Sequence, residues 1–174
     1  MKTLTFIFLS LFLCSCADTA KITPDIAYKS VTLDKSHSVY ISLPEDGVYG
    51  DKVYNGSGAT VSAIVRAAFL KHLVQVESST QSENYRDSLK SAKQNKANYL
   101  VYVSILHWED RATEWSGIPD RADIKMTIAS THDDSIISSV TIRGKSGLAT
   151  FGGDHPQDLL PEPVNNYVDS LFYK

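Results

Sequence analysis

The chain has 174 residues, with 17 basic and 20 acidic side chains and a formal net charge of −3. Its length suits one domain with one substantial core. A mildly acidic surface without runs of like charge gives no footprint for nucleic acid, and none for anionic lipid.

Met1 and Lys2 make a minimal basic start, and Leu4–Leu13 is almost wholly apolar before "LFLCSC" closes the run at Cys16. That run is too short to span a bilayer, and its flanks are those of a secretory signal. Leu13-Cys14-Ser15-Cys16 resembles the bacterial lipoprotein box: a leucine three residues before an obligatory cysteine, and a small residue just before it. The resemblance implies cleavage before Cys16, a thioether-linked diacylglycerol on it and an acylated new amino terminus. By the same analogy Ala17, directly after the cysteine, favours the outer membrane, although Asp18 follows one place later. A C-x-C pair could instead bind metal or close a disulfide, but the chain has no other cysteine and its nearest histidine is His37. Several acyl chains hold firmly, each buried CH₂ contributing roughly 0.8 kcal/mol. Residues 1–15 are therefore expected to be a signal peptide, and 16–36 a lipidated terminus and tether. The single domain is expected over 37–174, with no cofactor and with membrane contact supplied by the lipid. Losing Lys2 with the signal takes the net charge from −3 to about −4.

"HSVYISL" (37–43), β-branched and aromatic, predicts a first strand ending at Pro44. A glycine-rich loop follows, and then Val61, Ile64, Val65, Ala68, Phe69 and Leu73 recur at helical spacing with Ser57 available as a cap. "VQVES" (74–78) predicts a second strand, and Thr80-Gln81-Ser82-Glu83 fits a capping box for a second helix that stops near Asn98. "YLVYVSIL" (99–106) is apolar on both alternating faces, as a central strand covered on both sides would be. Ile124, Met126 and Ile128 alternate with Asp123, Lys125 and Thr127, and Val140 and Ile142 continue that apolar face in a fifth strand. Pro156 and Pro163 suit first helical positions, and Val164, Tyr167, Val168, Leu171 and Phe172 form the stripe of a closing helix.

The order is β-α-β-α-β-β-β-α, a mixed α/β (α+β) domain with a five-stranded sheet, two right-handed crossovers and a closing antiparallel meander. It resembles small envelope-lipoprotein domains and the amino-terminal domain of the Tol-system periplasmic protein, which is a likeness of fold and not of function. At residue level "VYISLPEDGVYG" with "NGSGATV", "YLVYVSILHWEDRATEWSGIPDR" and "GKSGLATFGGDHPQDLLPEPV" with "YVDSLF" resemble a family of Gram-negative envelope lipoproteins catalogued only as a domain of unknown function. Membership implies lipid at Cys16 and an envelope location, and it brings no activity, cofactor or catalytic residue.

"SILHWEDRATEWSG" (104–117) holds both tryptophans among acids and bases. One hairpin register sets Trp108 opposite Met126, Leu106 opposite Ile128 and Ala112 opposite Ala122 on the packed face. It sets Arg111 opposite Asp123 and Glu109 opposite Lys125 on the wet face, around the loop Glu114–Asp120. A second hairpin sets Val140 opposite Ile128 and Ile142 opposite Met126 around Asp133–Ser135, placing Arg143 beyond Lys125 and Lys145 beyond Asp123. These charges then fix register and solubility, each exposed pair contributing about 0.2–1 kcal/mol. The alternative is a partner-binding surface of Trp115, Glu114, Arg111, Glu109 and His107, with Trp115 as anchor.

Catalysis is the third reading. Asp154-His155 could orient a general base, but a polar residue before Pro156 is the usual helix cap. "GSGAT" lacks the lysine of a phosphate loop, and His37, His72 and His132 are scattered as surface or strand-end residues. The sequence thus favours a non-enzymatic binding lipoprotein whose partner is an envelope protein or the cell wall. The alternative is a small hydrolase or transferase using His107 or His155, which requires His107, Glu109, Asp154 and His155 to converge in one pocket.

Overall fold

The computed structural model of the protein describes residues 18–25, 32–110, 118–147 and 155–173. In chain order these form β1 (Thr19–Pro24), β2 (Val39–Leu43), β3 (Gly47–Tyr49), β4 (Lys52–Tyr54), α1 (Ser57–Phe69), β5 (Val76–Ser82) and α2 (Tyr85–Gln94). Then come β6 (Tyr99–Glu109), β7 (Arg121–Ser130), β8 (Ile136–Lys145), a 3₁₀ turn (Pro156–Leu159) and α3 (Pro161–Ser170). The main sheet runs β1-β8-β7-β6-β2-β5, with β3 and β4 forming a separate ribbon. β2 is parallel to both neighbours, β5 and β6, while β6, β7, β8 and β1 are antiparallel.

The expected mixed α+β class is correct, and the main sheet has six strands where five were expected. The added strand is β1, in the segment read as a tether; its register sets Thr19 opposite Lys145 and Ile22 opposite Ile142. Leu33, also in that segment, is buried in the core. The ribbon occupies the stretch read as a glycine-rich loop.

The first crossover runs from β2 through α1 to β5, and the second returns from β5 through α2 to β6, on the other side of β2. Equal handedness then puts α1 and α2 on opposite faces. Val61, Val65 and Phe69 of α1 join Val164 and Val168 of α3 over Val101, Val103, Met126 and Ile142, whereas Ala92 of α2 joins Tyr40, Leu100 and Ala129. β6 is therefore covered on both faces at its start, as its sequence indicates.

Both hairpin registers differ from expectation. Val101 faces Ile128, Val103 faces Met126 and Ile105 faces Ile124; Leu106 is then passed over, and His107 faces Asp123, Trp108 faces Ala122 and Glu109 faces Arg121. This bulge reverses the alternation, bringing Trp108 onto the core face used by Val101 and Val103 and leaving Leu106 54% exposed. Because β6 is apolar on both faces, its alternation cannot select the register. β8 is displaced by two residues, with Val140 opposite Met126, Ile142 opposite Ile124, Arg143 opposite Asp123 and Lys145 opposite Arg121. A shift of two keeps every side chain on its expected face.

The helix starts also shift. Gly56, in the left-handed region at φ 86°, caps α1, and the Asp46 carboxylate, rather than Ser57, accepts the N–H groups of Gly56 and Gly58 at 3.1 and 2.8 Å. The Thr80–Glu83 segment is not the cap of α2. Asn84 is, accepting the Asp87 N–H at 3.0 Å, and Asn95 ends the helix. Pro161 opens α3, leaving Pro163 inside its first turn. His155 precedes Pro156 as expected of a cap residue, with its N–H donated to the Asp158 carboxylate at 3.0 Å.

Candidate functional site

β2 and β5 lie side by side, and their chains leave for opposite faces of the sheet. Such a reversal opens a crevice at the carboxyl ends of the strands, where open α/β sheets bind ligands. Pro44, Glu45 and Asp46 leave β2 there, Ser82, Glu83 and Asn84 leave β5, and the segment Tyr102–His107 of β6 supplies the floor of a cleft of about 430 Å³. Asp46 is committed to capping α1. The Glu83 Oε1 accepts the Ser91 hydroxyl at 2.9 Å, while its buried Oε2 has no hydrogen-bond partner among the described residues. His107 borders the cleft with its Nε2 3.1 Å from the Glu109 Oε2, and its ring meets Tyr49 edge-on at 5.4 Å. Ser104 lies in the same wall, yet no hydrogen bond joins it to His107 among the described residues.

A second opening, of about 410 Å³, lies between the β3–β4 ribbon, the start of α1 and the 3₁₀ turn, and Trp108 and Asp110 border it. The His155 Nδ1 is 3.6 Å from the Asp110 Oδ2, and the Tyr54 hydroxyl donates to the Asp110 carbonyl at 3.4 Å. The two candidate histidines therefore pair with different carboxylates: His107, on the border of the first cleft, with Glu109, and His155 with Asp110 beside the second. Asp154, Cys16, Arg111, Glu114 and Trp115 lie outside the described residues.

The charges of β7 and β8 form a connected surface. Asp123, nearly buried, receives Arg121 in a forked pair at 3.0 and 2.6 Å and Arg143 at 3.6 Å. Hydrogen bonding to Asp123 raises the Arg121 guanidinium above its ordinary value against the opposing effect of burial. Asp25, at the end of β1, accepts the hydroxyls of Thr141 and Ser139 at 2.9 and 3.0 Å and lies 3.5 Å from the Lys125 Nζ. Burial pushes the Asp25 carboxyl up, but these two hydroxyls and the Lys125 charge outweigh it and hold the group below the ordinary 3.8.

The sequence also gave no signal for His72. Its side chain is 5% exposed, lies flat on Phe172 at 4.5 Å and sets Nε2 2.7 Å from the Asp169 Oδ1, so it is an interior clasp between α1 and α3 rather than a surface residue. Its partners lie almost a hundred residues away, beyond the reach of local pattern. Among the described residues no three His, Cys, Asp or Glu side chains gather to hold a metal ion, and no helix is long and apolar enough to cross a membrane.

The model of the family described as Domain of unknown function (DUF4823) matches residues 31–171. The chain belongs to that family. No curated protein sequence matches it significantly. Among solved structures it is similar to the PelC dodecamer from Paraburkholderia phytofirmans at a TM-score of 0.67 and 10% identity, covering 90% of this chain and 99% of that one. A point variant of the same PelC gives 0.65 at 10% identity, covering 89% and 99%. The lipoprotein GNA1162 from Neisseria meningitidis gives 0.52 at 9% identity, covering 76% and 98%. At such identities the likeness is one of fold, here the same mixed sheet with packed helices.

Proposed function

We propose that this member of the family is a lipid-anchored lipoprotein of the cell envelope, held at the outer membrane by acyl chains that include palmitate on Cys16. Its periplasmic domain binds another envelope component and performs no reaction. The leader and lipoprotein box ending at Cys16 carry the anchoring half of this reading, and the fold shared with a solved lipoprotein supports it. The binding half rests on the rim of the first cleft. There Val48 and Leu106 are 55% and 54% exposed, and Val53, which faces Val48 across the ribbon, is 52% exposed. Aliphatic side chains gathered in the open beside a cleft are the composition of a binding edge. PelC is described as a dodecamer, which favours a protein partner over the cell wall.

The test expresses the full chain in a Gram-negative host. The wild type should incorporate labelled palmitate and sediment with outer membranes, and Cys16→Ala should lose both; a variant that keeps them would overturn the anchor. Cross-linking in intact envelopes should enrich a reproducible partner that Val48→Asp and Leu106→Asp lose, and a partner indifferent to both substitutions would move the binding edge elsewhere. An esterase or peptidase activity abolished by His107→Ala would replace this reading with the hydrolase.

A further inference from the structure

A lipid on Cys16 would leave the domain almost no tether. Asp18, two residues on, already accepts the Gly147 N–H at 3.0 Å, and β1 begins at Thr19 against Lys145. Extended chain spans at most about 3.6 Å per residue, so Asp18 lies within roughly 7 Å of the lipidated cysteine. The end of the sheet that carries Thr19 would thereby be held at the headgroup layer.

The fold gathers cations at this end. Residues opposite one another in an antiparallel pair share a face, so Thr19, Lys145, Arg121 and Glu109 form one row, and Lys21, Arg143, Asp123 and His107 the next row on that face. The second row lies about 7 Å further from the anchor, at roughly 3.4 Å per residue. Lys21, Lys145, Arg121 and Arg143 are all exposed. Asp123 takes the two arginines, while the side chains of Lys21 and Lys145 make no ion pair or hydrogen bond among the described residues. Glu109 shares that face, and Asp18, Asp120, Asp158 and Glu162 are further acids at this end of the sheet. On that face four cations meet two acids, Asp123 and Glu109. The grouping escapes sequence inspection because the four cations come from three strands. Ile118, an exposed aliphatic just before β7, stands at the same end.

We infer that this end of the sheet lies on the membrane surface, with Lys21 and Lys145, flanked by Arg121 and Arg143, in contact with the phosphates of anionic phospholipid headgroups. The inference rests on lipidation at Cys16 as proposed above. A cation near an anionic bilayer gains only about fivefold in binding, so the patch orients a domain already anchored and does not recruit it.

The experiment reconstitutes the lipidated full chain into vesicles of phosphatidylcholine alone or with phosphatidylglycerol, acylates exposed lysines with a membrane-impermeant reagent and maps them by mass spectrometry. Labelling of Lys21 and Lys145 should fall about fivefold in the phosphatidylglycerol vesicles. It should recover near 1 M salt, where the screening length is about 3 Å. Lys96, exposed beyond α2 near the start of β6 and so at the far end of the sheet, should label equally in both vesicles. Equal labelling of Lys21 and Lys145 in the two lipids, or matching protection of Lys96, would overturn the contact. Flotation with the vesicles, lost in Cys16→Ala, reports the anchor separately: a chain that floats without protection overturns only this inference, and one that does not float overturns both. A Gly-Ser insertion between Ala17 and Asp18 should keep flotation and release the protection, since effective concentration falls with linker length. Protection that survives the insertion would overturn the role of the short tether.

Discussion

Gly47 sits so close to Trp108 that a Cβ there would overlap the Cβ and Cγ of the indole. The contact explains both residues: the indole is buried at the end of β6, and only a glycine lets β3 lie across it. Gly47→Ala should cost about 1–3 kcal/mol by overpacking, and Trp108→Ala about 3–5 kcal/mol by leaving a cavity, both read by urea unfolding. A Gly47→Ala chain as stable as wild type would mean that β3 does not rest on the tryptophan. Asp25 makes a pH-dependent contribution. Its carboxyl is held below 3.8 in the fold, so its stabilisation is fully present above about pH 4 and is lost as the pH falls through the lowered value. Asp25→Asn should lie about 1 kcal/mol below wild type near pH 6, and urea titrations should show that gap closing below pH 4. At the turn before β8, Asp133 is held to about 2 by the Ser135 and Ser130 hydroxyls and the Ser135 N–H, and it keeps its charge through the same range. Of the residues singled out by sequence, His107 and Glu109 do come together, with His107 on the border of the cleft. Asp25 and His72 could not be found that way, because each acquires its meaning from partners on distant elements.

At the scale of elements, legibility followed the strength of local pattern. The alternation of β7 and the double-sided run of β6 are written in the sequence and both strands form, but Asp123 and Thr127, expected on a wet face, are buried, and Leu106, expected in the core, is exposed. β1 reads "TAKITP", with one large apolar residue, and is a strand only because β8 offers an unpaired edge; isolated, it has no reason to extend. The ribbon strands span three residues each and fall below any periodicity. The bulge at Leu106 defeats register assignment outright, since alternation assumes no residue is skipped. A test of β1 is direct. In the full chain the β8 amides turned toward β1 should be protected from hydrogen exchange, and a chain lacking residues 18–25 should lose that protection and melt several degrees lower. Unchanged exchange in the shortened chain would mean that β1 is not part of the sheet.

The whole molecule joins two halves of different character. The parallel half, β5-β2-β6, is sandwiched between α1 and α2, and its carboxyl ends open the cleft. The antiparallel half, β6-β7-β8-β1, packs α1 and α3 on one face and keeps a polar, charged face on the other. The cleft could not be read from the sequence, because β2 and β5 become neighbours only through a crossover. The proposed envelope location rests on residues 4–16 and on motifs spread through the domain. In the proposed anchoring the charged half of the sheet lies next to a lipid on Cys16. The central claim is tested most directly by the intact mass of the chain purified from Gram-negative membranes. The account expects a polypeptide that starts at Cys16 and carries a diacylglyceryl group and an amide-linked acyl chain. An unmodified Cys16, or a mature terminus at any other residue, would contradict it.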